Sequence, residues 1–239
     1  MERKARMETS PLTPKGVLSR RTDKGGNENM FKDRFDVGHQ LAQRLVEYKN
    51  NPNAIILAIP RGALEIGSVL SQQLSLPLDV VLTKKIGYPG NPEYAIGAVS
   101  LDDVIIDKRV VEFSGPMETY LRTEVETIRK LLQERSRAYH GMREPLSLTD
   151  KIVIITDDGI ATGKTLEATI DLIKKQHPQK IVVAVPVSSK EALQIIRKKV
   201  DEVICLEAPE IFMSVGQWYA SFDQVSDEDA VALLQGTYQ

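Results

Sequence analysis

Residues 1–29 show no periodicity of apolar positions, and a regular pattern sets in only at Phe31. The opening stretch has few large apolar side chains and is rich in Arg, Lys, Ser, Thr, Pro and Gly. Such a segment buries too little surface to offset the cost of ordering it, so disorder is expected for 1–29, with Met30 an equally good start. From there Val37, Leu41 and Leu45 recur at four-residue spacing, which predicts an amphipathic helix. After the turn signal Asn50-Asn51-Pro52-Asn53, the run Ala54 to Ile59 is apolar without alternation, as in a strand buried on both faces of a parallel sheet. A helix over Ala63–Leu74 and a strand over Asp79–Thr83 follow.

The middle of the chain breaks this rhythm. Gly87, Pro89, Gly90 and Pro92 predict a loop over Lys84–Glu93, in which Asn91 and Glu93 can cap turns and Glu93 can also meet metal or substrate. Ala95–Ser100 and Val104–Ile106 read as strands, paired as a hairpin around Asp102-Asp103. Met117, Leu121, Val125, Ile128 and Leu132 mark a long helix to about Tyr139, its many charges forming a solvated face. Beyond Pro145 the alternation is clear. Strands Ile152–Thr156, Ile181–Val185 and Glu202–Leu206 are separated by helices Lys164–Gln176 and Lys190–Lys199. Strands alternating with helices make βαβ units, so the fold class is α/β with a mainly parallel sheet flanked by helices, in one domain over 30–239.

Composition narrows the partners. With 239 residues, 42% hydrophobic and 27% charged, the chain is long enough for one sizeable core. A net charge of -2 gives no general attraction for nucleic acid or a membrane surface. The one cysteine, Cys205, sits in an apolar strand and reads as buried and inert; it excludes an intramolecular disulfide and any multi-cysteine metal site. No apolar run approaches the ~20 residues of a membrane span. The first residues lack the apolar core of a secretory signal, and Glu2 and Glu8 argue against a transit peptide. A cytoplasmic location is expected. His39, His140 and His177 show no ligand spacing and read as surface or capping residues.

The candidate chemistry lies in Ile152-Val153-Ile154-Ile155-Thr156-Asp157-Asp158-Gly159-Ile160-Ala161-Thr162-Gly163-Lys164-Thr165. A strand ends in two acids, and a loop of Gly, Thr and small residues then opens a helix. Backbone N–H groups at a helix start form a ready anion site. Gly159 and Gly163 permit close backbone approach, and Thr162 and Thr165 add hydroxyl donors. Gly163-Lys164-Thr165 matches the end of a Walker A loop, but that motif needs a glycine at 158. Asp158 stands there instead, placing a carboxylate where a triphosphate needs donors. Adjacent carboxylates at a strand end can instead accept from vicinal ribose hydroxyls while the loop holds a 5-phosphate.

This string resembles the 5-phosphoribosyl pyrophosphate (PRPP) motif of type I phosphoribosyltransferases. The resemblance extends over most of the chain from Phe31. It is nearest to a group of predicted bacterial phosphoribosyltransferases sharing Pro60-Arg61-Gly62, Lys85-Ile86-Gly87-Tyr88-Pro89-Gly90-Asn91-Pro92-Glu93 and Val215-Gly216-Gln217-Trp218-Tyr219. It implies a small hood lobe, a flexible loop beginning over Gly87–Ala98 that closes over the site, and Mg²⁺ bound mainly through PRPP rather than by a protein cage. Asp157 and Asp158 would hold the ribose hydroxyls, and Gly159, Ile160, Ala161, Thr162, Gly163, Lys164 and Thr165 the 5-phosphate. Arg61, Gly62, Lys84 and Lys85 would meet the pyrophosphate, and Phe212, Trp218 and Tyr219 could stack a base. The implied reaction transfers the phosphoribosyl group to a nucleobase or similar nitrogen acceptor, and a homodimer is expected by analogy. A PRPP-sensing regulator without turnover is the alternative, disfavoured by the presence of Arg61 and Lys84, and hydrolysis by water is not separable from transfer.

Overall fold

The computed structural model describes residues 30–107 and 115–237, so the reading of 1–29 lies outside the described residues. Helix α1 (Arg34–Arg44) starts where the Asp33 carboxylate accepts from the Asp36 N–H, one of the donors a helix start leaves unpaired. Strand β1 (Ala54–Ala58), helix α2 (Ala63–Leu74) and strand β2 (Leu78–Val80) follow. Then come β3 (Lys84–Tyr88), β4 (Asn91–Val99), β5 (Val104–Ile106) and the long helix α3 (Pro116–His140). The second half alternates β6 (Ile152–Thr156), α4 (Lys164–Lys174), β7 (Lys180–Val187), α5 (Lys190–Arg197) and β8 (Glu202–Glu207), and ends in α6 (Asp227–Gly236).

Among the described residues, five strands pair in parallel in the order β2-β1-β6-β7-β8. Both faces are covered, which is why these strands read as unbroken apolar runs. Ile55, Leu57, Val153, Ile155 and Val183 point into a layer shared with α4 and α5, while Ala54, Ile56, Ile154 and Val182 point into a second layer containing Leu41, Leu64, Ile66 and Leu70. The order reverses between β1 and β6: one connection runs outward to β2, and the later ones run the opposite way. Loops at the carboxyl ends of the two strands flanking such a reversal diverge and leave a crevice.

Two expectations fail in the middle of the chain. The second strand ends at Val80; the Val81 N–H still donates to the Ala58 carbonyl at 2.9 Å, and Leu82 and Thr83 then lead into an antiparallel hairpin. The segment Lys84–Glu93 is strand, turn and strand rather than loop, and it belongs to a three-stranded sheet β3-β4-β5. Pro89 and Gly90 form its turn, with Gly90 at φ 78 as the third residue of a type II turn requires. Pro92 is tolerated because β5 pairs only from Gly97 to Val99, so no ladder hydrogen bond is lost on that side. At Gly87 a register shift brings the backbones so close that a Cβ would stand 2.6 Å from Pro92 Cα. The expected pairing around Asp102-Asp103 is present.

His140 is not a surface or capping residue. It is buried at the end of α3, with Nε2 2.6 Å from Asp79 Oδ1 and Nδ1 3.0 Å from the Ser136 carbonyl. Asp79 also accepts from the Val80 and Leu146 N–H groups, both at 2.7 Å. The Asp79 bond raises the His140 pKa against the opposing effect of burial. The partners lie 61 positions apart, beyond any local pattern. Cys205 is buried as expected, its thiol pushed up to about 12 by desolvation. Among the described residues, no helix is long and apolar enough to cross a membrane.

Candidate functional site

The loops after β1 and β6 meet at the crevice. After β6 the chain runs through Asp157 and Asp158 into Gly159, whose φ of 156 and tight setting exclude a side chain: a Cβ would sit 2.9 Å from both Val187 and Val215. Ile160 is the buried plug of the loop, and its N–H donates to the Val187 carbonyl at 2.9 Å, so it is not available to a ligand. The Ser189 N–H holds the Ile160 carbonyl and the Ser189 hydroxyl holds the Ala161 carbonyl. Beyond these anchors Ala161, Thr162, Lys164 and Thr165 are exposed. Gly163 precedes α4 at φ 74 with no side chain capping the helix, so the donors that a helix start leaves unpaired are not taken by a side-chain cap. Thr156, at the base of the loop, is fully buried with an unpartnered hydroxyl, a group costing about 1–3 kcal/mol to desolvate.

The two acids differ in surroundings. Asp157 keeps some surface exposure, yet desolvation of its carboxyl, helped by the charge of Asp158, raises its pKa to about 7; the Asp158 N–H, bonded at 2.9 Å, opposes this. Asp158 also shifts upward through burial, but Arg34 holds it back. Arg34 Nε lies 2.9 Å from Asp158 Oδ1 and Nη2 3.1 Å from Oδ2, a two-point pairing. The remaining donor edge of Arg34 reaches the Asp223 carbonyl at 2.8 Å and Glu65 Oε2 at 3.4 Å. Burial lowers the Arg34 pKa, and the Asp158 bond and charge more than reverse it. Its guanidinium lies 4.1 Å from the Phe222 ring centroid.

After β1, Pro60-Arg61-Gly62 turns into α2; the Pro60–Arg61 peptide bond is cis. Gly62 lies directly against the Arg34–Asp158 ion pair: a Cβ there would stand 2.4 Å from Asp158 Oδ2 and 2.7 Å from Arg34 Nε. Arg61 is half-exposed and its nearest acid is Asp227, at 3.6 Å. Lys84 and Lys85 are exposed at the start of β3, in the connection leaving β2. Among the described residues, neither Arg61 nor Lys84 makes a hydrogen bond or ion pair to the Asp157–Thr165 loop. The structure thus joins Gly62 to Asp158 and Arg34.

Of the C-terminal aromatics, Tyr219 is withdrawn from any open stacking surface. Tyr219 is buried, with its ring 4.8 Å from Phe222 and 5.7 Å from Phe31, and its hydroxyl donates to the Asp158 carbonyl at 2.7 Å. Desolvation first, then the Asp158 charge, raises its pKa strongly. Phe212 and Trp218 are part-buried against the core. Sequence reasoning missed Arg34 and Glu65. A signal existed: position 34 lies three residues before Val37 and seven before Leu41, so the arginine falls on the apolar stripe of α1. A charge on a buried stripe needs a partner. A cavity of about 350 Å³ lies apart, lined by Asp79, His140, Leu101, Leu146 and Ile173, and shares no residue with the acidic loop.

Comparison with known proteins places this arrangement. The family model for the phosphoribosyl transferase domain matches residues 29–220. Two Mycobacterium tuberculosis proteins, from strains CDC 1551 / Oshkosh and H37Rv, carry the provisional name phosphoribosyl transferase. Each is 35% identical over 211 residues, covering 88% of this chain. The chain spans about half, 47%, of their length. The crystal structure of TT1426 from Thermus thermophilus superposes with a TM-score of 0.77 at 34% identity, covering 87% of this chain and 98% of that one.

Proposed function

The chain belongs to the phosphoribosyl transferase family, and from that premise we propose that it binds PRPP at the crevice and transfers the phosphoribosyl group to a nitrogen acceptor, releasing pyrophosphate. The observation that carries this reading is the contact of Gly62 with Asp158, which sets the loop after β1 against the acids and anion cradle after β6. In this arrangement the first-turn N–H groups of α4, with Thr162 and Thr165, hold the 5-phosphate. The acidic end of the loop accepts from the ribose hydroxyls. In this reading the backbone of Arg61 and Gly62 and the cationic side chains of Arg61, Lys84 and Lys85 meet the departing pyrophosphate.

Departure of pyrophosphate from the anomeric carbon leaves oxocarbenium character on the sugar, so the protein supplies orientation and charge stabilisation rather than a nucleophile. Among the described residues no group of three His, Cys, Asp or Glu side chains could cage a metal, and Asp158 is engaged by Arg34. That donor set fits a Mg²⁺ held by the ligand's own oxygens, which when bound neutralises charge on the pyrophosphate. The acceptor is a small molecule, and a homodimer in the cytoplasm is the assembly this reading carries.

Calorimetric titration with PRPP, with and without Mg²⁺, tests the proposal beside ribose 5-phosphate and ATP. Mg²⁺-dependent micromolar binding of PRPP with ATP silent is the expected result, followed by an acceptor screen for pyrophosphate release. Absence of PRPP binding overturns the reading; binding without release for any acceptor supports the regulator instead.

A further inference from the structure

We propose that the cavity beside Asp79 and His140 is a second binding site, suited to a small organic amine with an apolar body and independent of the PRPP reading of the crevice. At about 350 Å³ it falls within the ~300–1,000 Å³ of small-molecule sites, far above the ~30 Å³ share of one water. Four parts of the chain wall it: Val81 after β2, Leu172 and Ile173 on α4, Leu101 between β4 and β5, and Leu146 beyond α3. These side chains suit an apolar body. The Asp79 carboxylate holds one wall in place. It accepts from the Leu146 N–H at 2.7 Å and meets His140 Nε2 at 2.6 Å, so the stretch leaving α3 is fastened to the edge strand β2.

The polar groups decide which charge the ligand carries. Asp79, Asp102 and Glu144 line the cavity and no lysine or arginine does, in a chain with 31 of them. His140 answers Asp79, and its Nδ1 meets the Ser136 carbonyl at 3.0 Å, so neither ring nitrogen is left for a ligand. Among the described residues, the Asp102 and Glu144 carboxylates, the Ser147 hydroxyl and the Gln176 amide make no hydrogen bond. The nearest cations are turned to backbone: Lys175 Nζ donates to the Val104 carbonyl at 2.6 Å, and Arg129 Nη2 to the Asp102 carbonyl at 3.3 Å. Two unmatched carboxylates on an otherwise apolar cavity favour an ammonium and disfavour a phosphate or carboxylate. Arg137 and Arg143 line a neighbouring depression that shares Glu144 and Pro145 with the cavity, so an anionic probe is the necessary control.

The test titrates the full chain near neutral pH with tryptamine, beside its alcohol and carboxylate counterparts tryptophol and indole-3-acetate, and follows the backbone amides by NMR. Tryptamine should bind with millimolar affinity or better and shift the amides of Leu101, Ser147 and Gln176 but not those of Thr162 and Thr165. It should stay bound when PRPP and Mg²⁺ are added. Tryptophol should bind at least about threefold more weakly, and indole-3-acetate more weakly still. Asp102→Asn/Glu144→Gln should weaken tryptamine at least about fivefold and leave tryptophol within about twofold. Leu101→Trp, which fills the cavity, should abolish binding of both; should it fail to fold, the charge variant decides alone. No binding of tryptamine, equal binding of indole-3-acetate, unchanged affinity in the charge variant, or displacement by PRPP overturns the site. Because the amide shifts are read before PRPP is added, they judge this site whatever the crevice binds.

Discussion

Replacing Asp157 with asparagine should make the protein more stable at alkaline pH while crippling its binding site. The native pKa of Asp157 is raised from 3.8 to about 7, so the fold favours the protonated acid. The sign follows from linkage. Stability associated with this group is fully present below the ordinary pKa of 3.8 and is lost as pH rises through about 7. At about 1.4 kcal/mol per pKa unit, the whole displacement is worth at most ~4 kcal/mol. Partial exposure of Asp157 lets water screen part of this, and the fraction lost below pH 5 is already gone. Between about pH 5 and about pH 8.5 the wild type should therefore lose roughly 2 kcal/mol relative to Asp157→Asn. For a chain of this size that difference is about 4–8 °C in melting temperature. Urea unfolding of both proteins at the two pH values, at fixed ionic strength, measures it. The titration of His140 is common to both and cancels. A difference between the two proteins that does not change with pH refutes the argument. The same substitution removes a charged acceptor worth ~1.5–3 kcal/mol to a ligand hydroxyl, so the stabilised variant should bind PRPP at least tenfold more weakly.

Two further outcomes test the structure around the site. Asp79→Ala leaves His140 buried beside an empty acceptor and should cost about 3–5 kcal/mol in urea unfolding near neutral pH. Because Asp79 raises the His140 pKa, the pair's contribution is full below 6.5 and fades as pH rises through the raised value, so the penalty should shrink at about pH 9. Gly62→Ala would place a methyl 2.4 Å from Asp158 Oδ2 and should lower stability by ~1–3 kcal/mol. Gly236→Ala, where a Cβ meets nothing within 4 Å, is the control; equal melting temperatures for the two variants would show that Gly62 is not packed on the pair.

Much of the architecture is legible along the chain. Strands β1 and β6 announce themselves as apolar runs because both faces are covered, and α1 and α3 through residues recurring on one face. The acids and glycines between Thr156 and Lys164 are equally local, since one loop carries its own glycines and hydroxyls in consecutive positions. The hairpin β3-β4 was not legible for a converse reason. Gly87, Pro89, Gly90 and Pro92 are turn residues by their dihedral preferences, and only cross-strand pairing of Lys84 to Tyr88 with Asn91 to Val99 draws Gly87 and Pro92 into strands on either side of the turn.

What sequence alone determined here is whatever follows from neighbours in the chain: the alternation of strands and helices, the glycine-bounded loop that opens α4, and the placing of two acids before it. Tertiary structure decided which charge answers which. Arg34 and Asp158 stand 124 positions apart, and His140 and Asp79 61 apart. Burial is the physical reason these pairings matter. Removed from water, a charge must be met by a partner wherever the fold brings one, and the identity of that partner depends on packing rather than on spacing.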